Sequence, residues 1–272
     1  MKAQNLTVSV PAEKCDKRCP YCISKITWET TPNSVLVQRN ISKVKRVANS
    51  AGVNNVLITS KKEPFMNYDG LIWMANNFPD YWLELQTNGI ELNKKAVIAA
   101  RDLYNAGLNV IAISIDQMKF VNRLSETLEI LSKHNIVIRL CINVTRYISD
   151  LYTFEEIMRN INNVGNVNQV LFRNINYPSS ADRNNPVTKW IDENVDPDHY
   201  YTYVDQMMHM NLKQIRTISQ TGITTYSYKG ISVCFSDYCI QEAHKTDNIR
   251  SLVFQDNGHL YTSWDDPTSG LF

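Results

Sequence analysis

The chain has 272 residues, of which 43% belong to the AVILMFWYC set and 20% are charged, a globular composition able to fill a sizeable core. Its 28 basic and 27 acidic side chains leave a formal charge of +1, which argues against a general nucleic-acid coat or a membrane-surface helix. No apolar run reaches the roughly 18 residues that span a bilayer, and Met1-Lys2-Ala3-Gln4-Asn5 has no signal-peptide core behind it, so a soluble, cytoplasmic protein without a membrane partner is expected.

Short β-rich runs alternate with helix-like stretches through the first two thirds of the chain. Leu6 to Val10 reads as a strand, and Val37, Ile41, Val44 and Ala48 share one face of a helix over 34–50. A strand at 53–59, a helix at 69–77 and a strand at 81–87 follow, the last closed by Asn88-Gly89. Next come a helix at 92–105, a strand at 110–116, a helix at 119–133, a strand at 136–144, a helix at 153–164 and a strand at 169–175. Six strands alternating with helices predict an α/β fold: a parallel sheet of right-handed βαβ units, forming a partial (βα)6 barrel of the TIM type rather than a closed eightfold one.

Near Asn176 the rhythm breaks. Residues 176–197 are rich in Asn, Asp, Ser and Pro, 198–216 reads as a helix, and short strands are expected at 224–228, 231–235, 251–254 and 259–263. The last two are joined by Asp256-Asn257-Gly258, a hairpin signal. Residues 1–176 are therefore expected to form the core, and 177–272 a short C-terminal α+β extension capping it.

The six cysteines are unevenly placed. Cys15, Cys19 and Cys22 crowd into eight residues, Cys141 stands alone, and Cys234 and Cys239 lie near the C-terminus. In a reducing compartment a crowded set is metal-binding or catalytic rather than a disulfide framework. The spacing C-x3-C-x2-C suits three thiolates wrapped around an iron–sulfur cube, with a fourth iron left open for an external ligand. Lys14, Lys17 and Arg18 flank the loop and would offset the charge of such a cluster. The competing reading is a non-enzymatic zinc or iron–sulfur module, a zinc knuckle borrowing Cys141 or a His as fourth ligand.

The loop Cys15-Asp16-Lys17-Arg18-Cys19-Pro20-Tyr21-Cys22 directly follows the first predicted strand, and Tyr21 fills the aromatic place before the last cysteine. It resembles the signature of the radical S-adenosylmethionine (radical SAM) superfamily, and the likeness extends over about 6–175, a partial barrel resembling the molybdenum-cofactor cyclase branch. The resemblance implies a [4Fe–4S] cluster on Cys15, Cys19 and Cys22 and S-adenosylmethionine (SAM) chelated to the open iron. It further implies reductive cleavage of SAM to a 5′-deoxyadenosyl radical that abstracts a substrate hydrogen, with the electron coming from a donor such as flavodoxin or ferredoxin.

Other site residues follow from strand ends. Ser60-Lys61-Lys62-Glu63-Pro64 resembles the family's G-G-E motif with both glycines replaced, so Glu63 is expected to hold the SAM ammonium group; the alternative is an exposed loop acid. Thr87-Asn88-Gly89 resembles a strand-terminal T-N-G of the cyclase branch, leaving Asn88 as a cavity hydrogen-bonder or a turn residue. Alternation by two sets Ser114 and Asp116 opposite Ile111, Ile113 and Ile115, and Arg139, Cys141 and Asn143 opposite Ile138, Leu140 and Ile142. By family position Ser114 and Asp116 suit the ribose or SAM carboxylate, although Asp116 also suits a helix cap. Arg139 suits the SAM carboxylate or an anionic substrate group, and Asn143 the adenosine. Cys141 reads either as a small buried hydrophobe or as a hydrogen-atom donor to a substrate radical.

Arg173 reads as a surface or salt-bridged arginine, with a substrate anion as the alternative. Cys234 and Cys239 read as structural thiols, too few for an auxiliary cluster. Tyr226, Tyr228, Tyr238, Tyr261 and Trp264 are expected to pack the cap, and His244 and His259 carry no motif. The substrate expected is a small polar molecule, with nucleotides among the candidates; the alternative is a partner protein or peptide that is activated or modified.

Overall fold

Alternation by two governs the middle of the sheet. Ile111, Ile113 and Ile115 on one strand and Ile138, Leu140 and Ile142 on the next are fully buried in the main core, while Ser114 and Arg139 between them are only half-buried. The aliphatic side meets helices, which cover a parallel sheet because its crossovers run there; the polar side faces the concavity.

The computed structural model describes residues 1–217, 223–236 and 249–272. Its strands are β1 (Ala3–Ser9), β2 (Asn55–Thr59), β3 (Trp82–Thr87), β4 (Leu108–Ile115), β5 (Val137–Val144), β6 (Gln169–Asn174), β7 (Lys213–Thr217), β8 (Thr224–Tyr228), β9 (Ile231–Ser236), β10 (Ile249–Phe254) and β11 (Leu260–Tyr261). The helices are α1 (Ser34–Ser50), α2 (Tyr68–Asn76), α3 (Ile90–Lys94), α4 (Ala96–Asn105), α5 (Met118–Arg123), α6 (Ser125–Ser132), α7 (Arg146–Ser149), α8 (Phe154–Val164), α9 (Pro186–Asn194) and α10 (Pro197–His209). Among the described residues no helix is long and apolar enough to cross a membrane.

One sheet holds all these strands in the order β11-β10-β1-β2-β3-β4-β5-β6-β9-β8-β7. Every pair from β10 through β1 to β6 and on to β9 is parallel. The segment after residue 176, expected as a cap, therefore builds both edges of the sheet: β10 pairs with β1, and β9 with β6. Strand pairing is directional and satisfies backbone groups that an open edge would leave to solvent, a demand that composition does not announce.

Helix starts follow their capping chemistry. Asn33 accepts from the Leu36 amide at 3.0 Å to open α1, and Thr153 and Glu156 form a reciprocal capping box on α8. Three elements differ from expectation. The helix expected at 92–105 is divided at Lys95 into α3 and α4, and that at 119–133 is divided at Leu124 into α5 and α6; neither break carries a Gly or Pro. The helix expected to reach 216 stops at His209, because Asn211 takes a left-handed conformation (φ 50°) that ends it, and 213–217 becomes strand β7.

The hairpin between β10 and β11 pairs Val253 with Tyr261 and Phe254 with Leu260. At its turn Gly258 has φ 82°, and a Cβ there would lie 2.7 Å from Leu36 Cγ and 2.8 Å from the Leu36 carbonyl carbon at the start of α1. Left-handed backbone and steric overlap both oppose a side chain. Gly258→Ala is therefore expected to lower unfolding free energy by about 2–4 kcal/mol, read from urea denaturation midpoints. A change within about 0.5 kcal/mol, the level of a neutral surface substitution, would contradict the close approach.

Candidate active site at the strand ends

The loop of residues 15–22 leaves the end of β1 and enters the mouth of the sheet. Its thiols sense one another: burial pushes Cys15 and Cys19 up, Cys19 to about 11, and the charge of Cys22 adds to both. Cys15 and Cys19, which resist ionisation when bare, are what a cationic iron cluster would relieve, since coordination deprotonates a thiol outright. The chemistry of the donor set thus suits a thiolate-ligated cluster, although the described residues contain no preassembled group of three metal ligands.

Polar ties hold this loop in place. The Lys17 ammonium pairs with Asp116 at 2.8 Å, and the Tyr21 hydroxyl donates to the same carboxylate at 3.2 Å. Asn143 Nδ2 donates to the Tyr21 oxygen at 3.4 Å. Asn88 Nδ2 donates to Asp16 Oδ1 at 2.7 Å and faces Cys15 Sγ at 3.8 Å. The loop also has an apolar seat outside the main core: Tyr21 packs with Ile175, Val187, Ile191 and Val195, and its ring lies 5.4 Å from that of Trp190 on α9. The Trp190 ring also lies 5.8 Å from that of Tyr147.

Glu63, at the end of the loop after β2, is 2% exposed. Thr87 Oγ1 donates to it at 2.6 Å, the Asn88 amide at 2.9 Å and the Phe65 amide at 3.3 Å. Burial raises its pKa, and these three donors oppose the rise. An ionised carboxylate offers about four acceptor sites, so one stays open for another donor. The alternative of an exposed loop acid is excluded by this burial.

Asn88 combines both readings offered for it, since its Oδ1 also accepts from the Ile90 amide at 2.9 Å. Asp116 does not cap α5: the cap is Gln117 and has no side-chain bond, because Lys17 and Tyr21 already occupy the Asp116 carboxylate. Arg139 lies four residues before Asn143 on β5, about 13 Å further down the strand, where it pairs with Glu84 at 2.6 Å and Gln169 at 2.8 Å. Those partners take two of the five N–H donors of a guanidinium that the sequence offered to a SAM carboxylate or an anionic substrate group.

Ser114, Cys141, Leu171 and Cys234 align in one row across β4, β5, β6 and β9. Cys141 is buried, and burial raises its pKa against the pull of Arg173 and Arg139; burial likewise pushes Cys234 up to about 11. Arg173 pairs in register with Asn143 and Ser236 one row higher. Tyr238, Cys239 and His244 lie outside the described residues. Lys17, Thr87, Trp190 and Tyr147 were not singled out from sequence for the roles they take here. Only the T-N-G string pointed toward Thr87.

Truncating Trp190 tests the loop's apolar seat. Trp190→Ala is expected to destabilise the protein by about 2–3 kcal/mol, below the usual cost of emptying a fully buried tryptophan site. Amide exchange in residues 15–22 should rise more than in the strands. Unaltered exchange there would mean that the polar ties alone hold the loop.

The model of the radical SAM superfamily matches residues 9–175. Among curated proteins, the GTP 3′,8-cyclase of Clostridium acetobutylicum is 33% identical over 117 residues, covering 42% of this chain and 35% of that protein. The enzymes of the same name from Campylobacter jejuni and Trichodesmium erythraeum are 31% and 32% identical over 121 and 112 residues, or 43% and 39% of this chain and 36% and 33% of theirs. The matches thus span about a third of these relatives' length. Among solved structures, Streptococcus suis SuiB superposes with a TM-score of 0.58 at 11% identity, covering 97% of this chain and 60% of that one, a likeness of fold alone. That fold is the partial TIM-type barrel, and the matched span contains the cysteine loop, Glu63 and strands β2 to β6: the chain belongs to the radical SAM superfamily, enzymes that use a [4Fe–4S] cluster and S-adenosylmethionine.

Proposed function

We propose that this radical SAM enzyme acts on a small polar substrate of nucleotide type, with Cys15, Cys19 and Cys22 as cluster ligands and SAM lying across the ends of β2 to β5. The observation that carries the reading is the buried Glu63 carboxylate, which keeps one acceptor site open beside the loop that bears the cysteines. The chemistry that the bound cluster and SAM supply is one-electron cleavage of SAM to methionine and a 5′-deoxyadenosyl radical able to remove a substrate hydrogen.

The chain's own residues bind and orient. Glu63 accepts from the SAM ammonium, and Asn88 holds Cys15 and Asp16 beside it. Asp116 fixes Lys17 and Tyr21, so the loop's position depends on the end of β4. Ser114 and Asn143 present polar groups to the ribose and adenine ends. Cys141 keeps its hydrogen because burial disfavours the thiolate, which is the form a hydrogen-atom donor needs. The aromatic series Tyr21, Trp190 and Tyr147 offers ring faces at the mouth, and the name of the matched relatives favours a guanine nucleotide. An external one-electron donor of the flavodoxin or ferredoxin kind completes the reading, as does a reducing, cytoplasmic setting that keeps thiols free for iron.

Reconstituted protein is expected to hold about four irons per chain and to lose them when Cys15, Cys19 or Cys22 is replaced by Ala; full iron content in the triple variant would overturn the assignment. Glu63→Gln should weaken SAM binding about ten- to a hundredfold, the worth of a charge-assisted hydrogen bond, measured by calorimetry under anaerobic conditions. GTP should stimulate 5′-deoxyadenosine release; a panel of nucleotides that leaves the release unchanged would sink the substrate class. Given a stimulating nucleotide, Cys141→Ala should continue to cleave SAM while product formation stops. Normal turnover would leave Cys141 as packing.

A further inference from the structure

Lysine is almost never fully buried unless its charge finds partners. Lys61, two residues before Glu63, is 6% exposed, whereas Lys62 beside it is exposed. The Lys61 ammonium donates to the Trp28 carbonyl. It also lies 4.3 Å from the centre of the Trp28 ring and 5.9 Å from that of Trp264, within the range at which an aromatic face attracts a cation. Burial lowers its pKa, while the charges of Asp256 and Glu29 oppose that shift.

These partners come from separate parts of the chain. Trp28 lies just behind the cysteine loop, and Asp256 and Trp264 belong to the C-terminal hairpin and its extension. Trp28 Nε1 donates to the Trp264 carbonyl at 3.1 Å, and its ring meets Tyr261 at 5.0 Å. The hairpin is anchored further to α1, where the Asp256 carbonyl accepts from the Asn33 amide at 2.8 Å and the Gly258 carbonyl accepts from Asn40 Nδ2 at 2.8 Å. On the other side of Lys61, Ser60 Oγ donates to the Val10 carbonyl at 2.9 Å and accepts from the Lys62 amide at 3.1 Å. The turn from β2 to Glu63 is thus stitched at one end to Val10, just past β1, and at Lys61 to the C-terminal hairpin.

We propose that Lys61 is a positioning residue, a cationic rivet through which the C-terminal hairpin and the segment behind the cysteines set the place of Glu63. It rests on the reading of Glu63 as the SAM contact only for its functional consequence; the mechanical tie stands apart from that reading. In a chain with glycine here, the turn would have to be held by backbone alone. In this one the far end of the polypeptide takes part.

Amide hydrogen exchange on the SAM-free protein tests the tie, and SAM affinity of the reconstituted protein tests its consequence. Lys61→Met keeps the stem and removes the charge. It is expected to speed exchange at 26–30, 62–66 and 256–264 together and to weaken SAM binding about tenfold. Lys61→Arg, which keeps a cation over the rings, should restore both, and Lys62→Met should change neither. If Lys61→Met fails to fold, Trp28→Phe serves instead: it keeps an aromatic ring and the carbonyl, cuts the bond to Trp264, and should speed exchange at 62–66 and 256–264. Unchanged exchange at 62–66, or a fall in unfolding midpoint that Lys61→Arg does not rescue, would overturn the proposal. So would wild-type SAM affinity in Lys61→Met when Glu63→Gln binds weakly. If Glu63→Gln itself binds SAM normally, the reading of Glu63 fails, and exchange alone then decides for or against the rivet.

Discussion

A carboxylate shut away from water must be supplied with hydrogen bonds or give up its charge, and at Glu63 the supply comes from three places. Phe65 lies just beyond it on its own turn, while Thr87 and Asn88 stand at the end of β3. Asn88 in turn reaches the cysteine loop through Asp16 and Cys15. The ends of β2 and β3 and the loop after β1 are thereby held to a single buried group. Gly89 is part of this arrangement: at φ 81° a Cβ would meet Ile113 at 2.7 Å, so the turn that aims the Asn88 amide at Glu63 has room for hydrogen only.

Below that level the concavity has a floor. The Arg139 guanidinium passes over β4 at Ala112, with which it is in register, to reach Glu84 on β3, and Gln169 on β6 accepts from its Nε. A methyl group at 112 leaves the space this crossing needs. Because the pair is half-buried, its Coulomb gain is moderated by water. The row of Ser114, Cys141, Leu171 and Cys234 lies just above it.

The region beyond residue 176 supports the mouth from two directions. Helix α9 seats Tyr21 through Trp190, Val187 and Ile191, and the hairpin after β10 grips the segment behind the cysteines through Trp264 and Lys61. Neither contact is near its partner in sequence. The cysteine loop thus lies between two elements contributed by the second part of the chain, while its chemistry belongs to the first.

The amino-acid sequence by itself determined most of the elements and the family. Period-two alternation in β4 and β5 settled which side chains face the concavity, because a strand offers only two faces. The spacing of Cys15, Cys19 and Cys22 with Tyr21 pointed to the family, because three donors on one short loop need no fold to bring them together. The hairpin at Asp256-Asn257-Gly258 was legible because its turn demands a positive φ that glycine permits. What the sequence left open was decided by contacts between residues far apart along it. Depth along a strand separated Asn143, near Tyr21, from Arg139, which found Glu84; alternation names a face but not a level. Lys17 and Tyr21 made Asp116 a strut instead of a helix cap. Burial and three donors set Glu63 apart from an exposed loop acid. The pairing of β9 with β6 and β10 with β1 turned an expected cap into the sheet's own edges, because strand partnership depends on which backbone edge is free when the rest has folded, and local pattern carries no record of that.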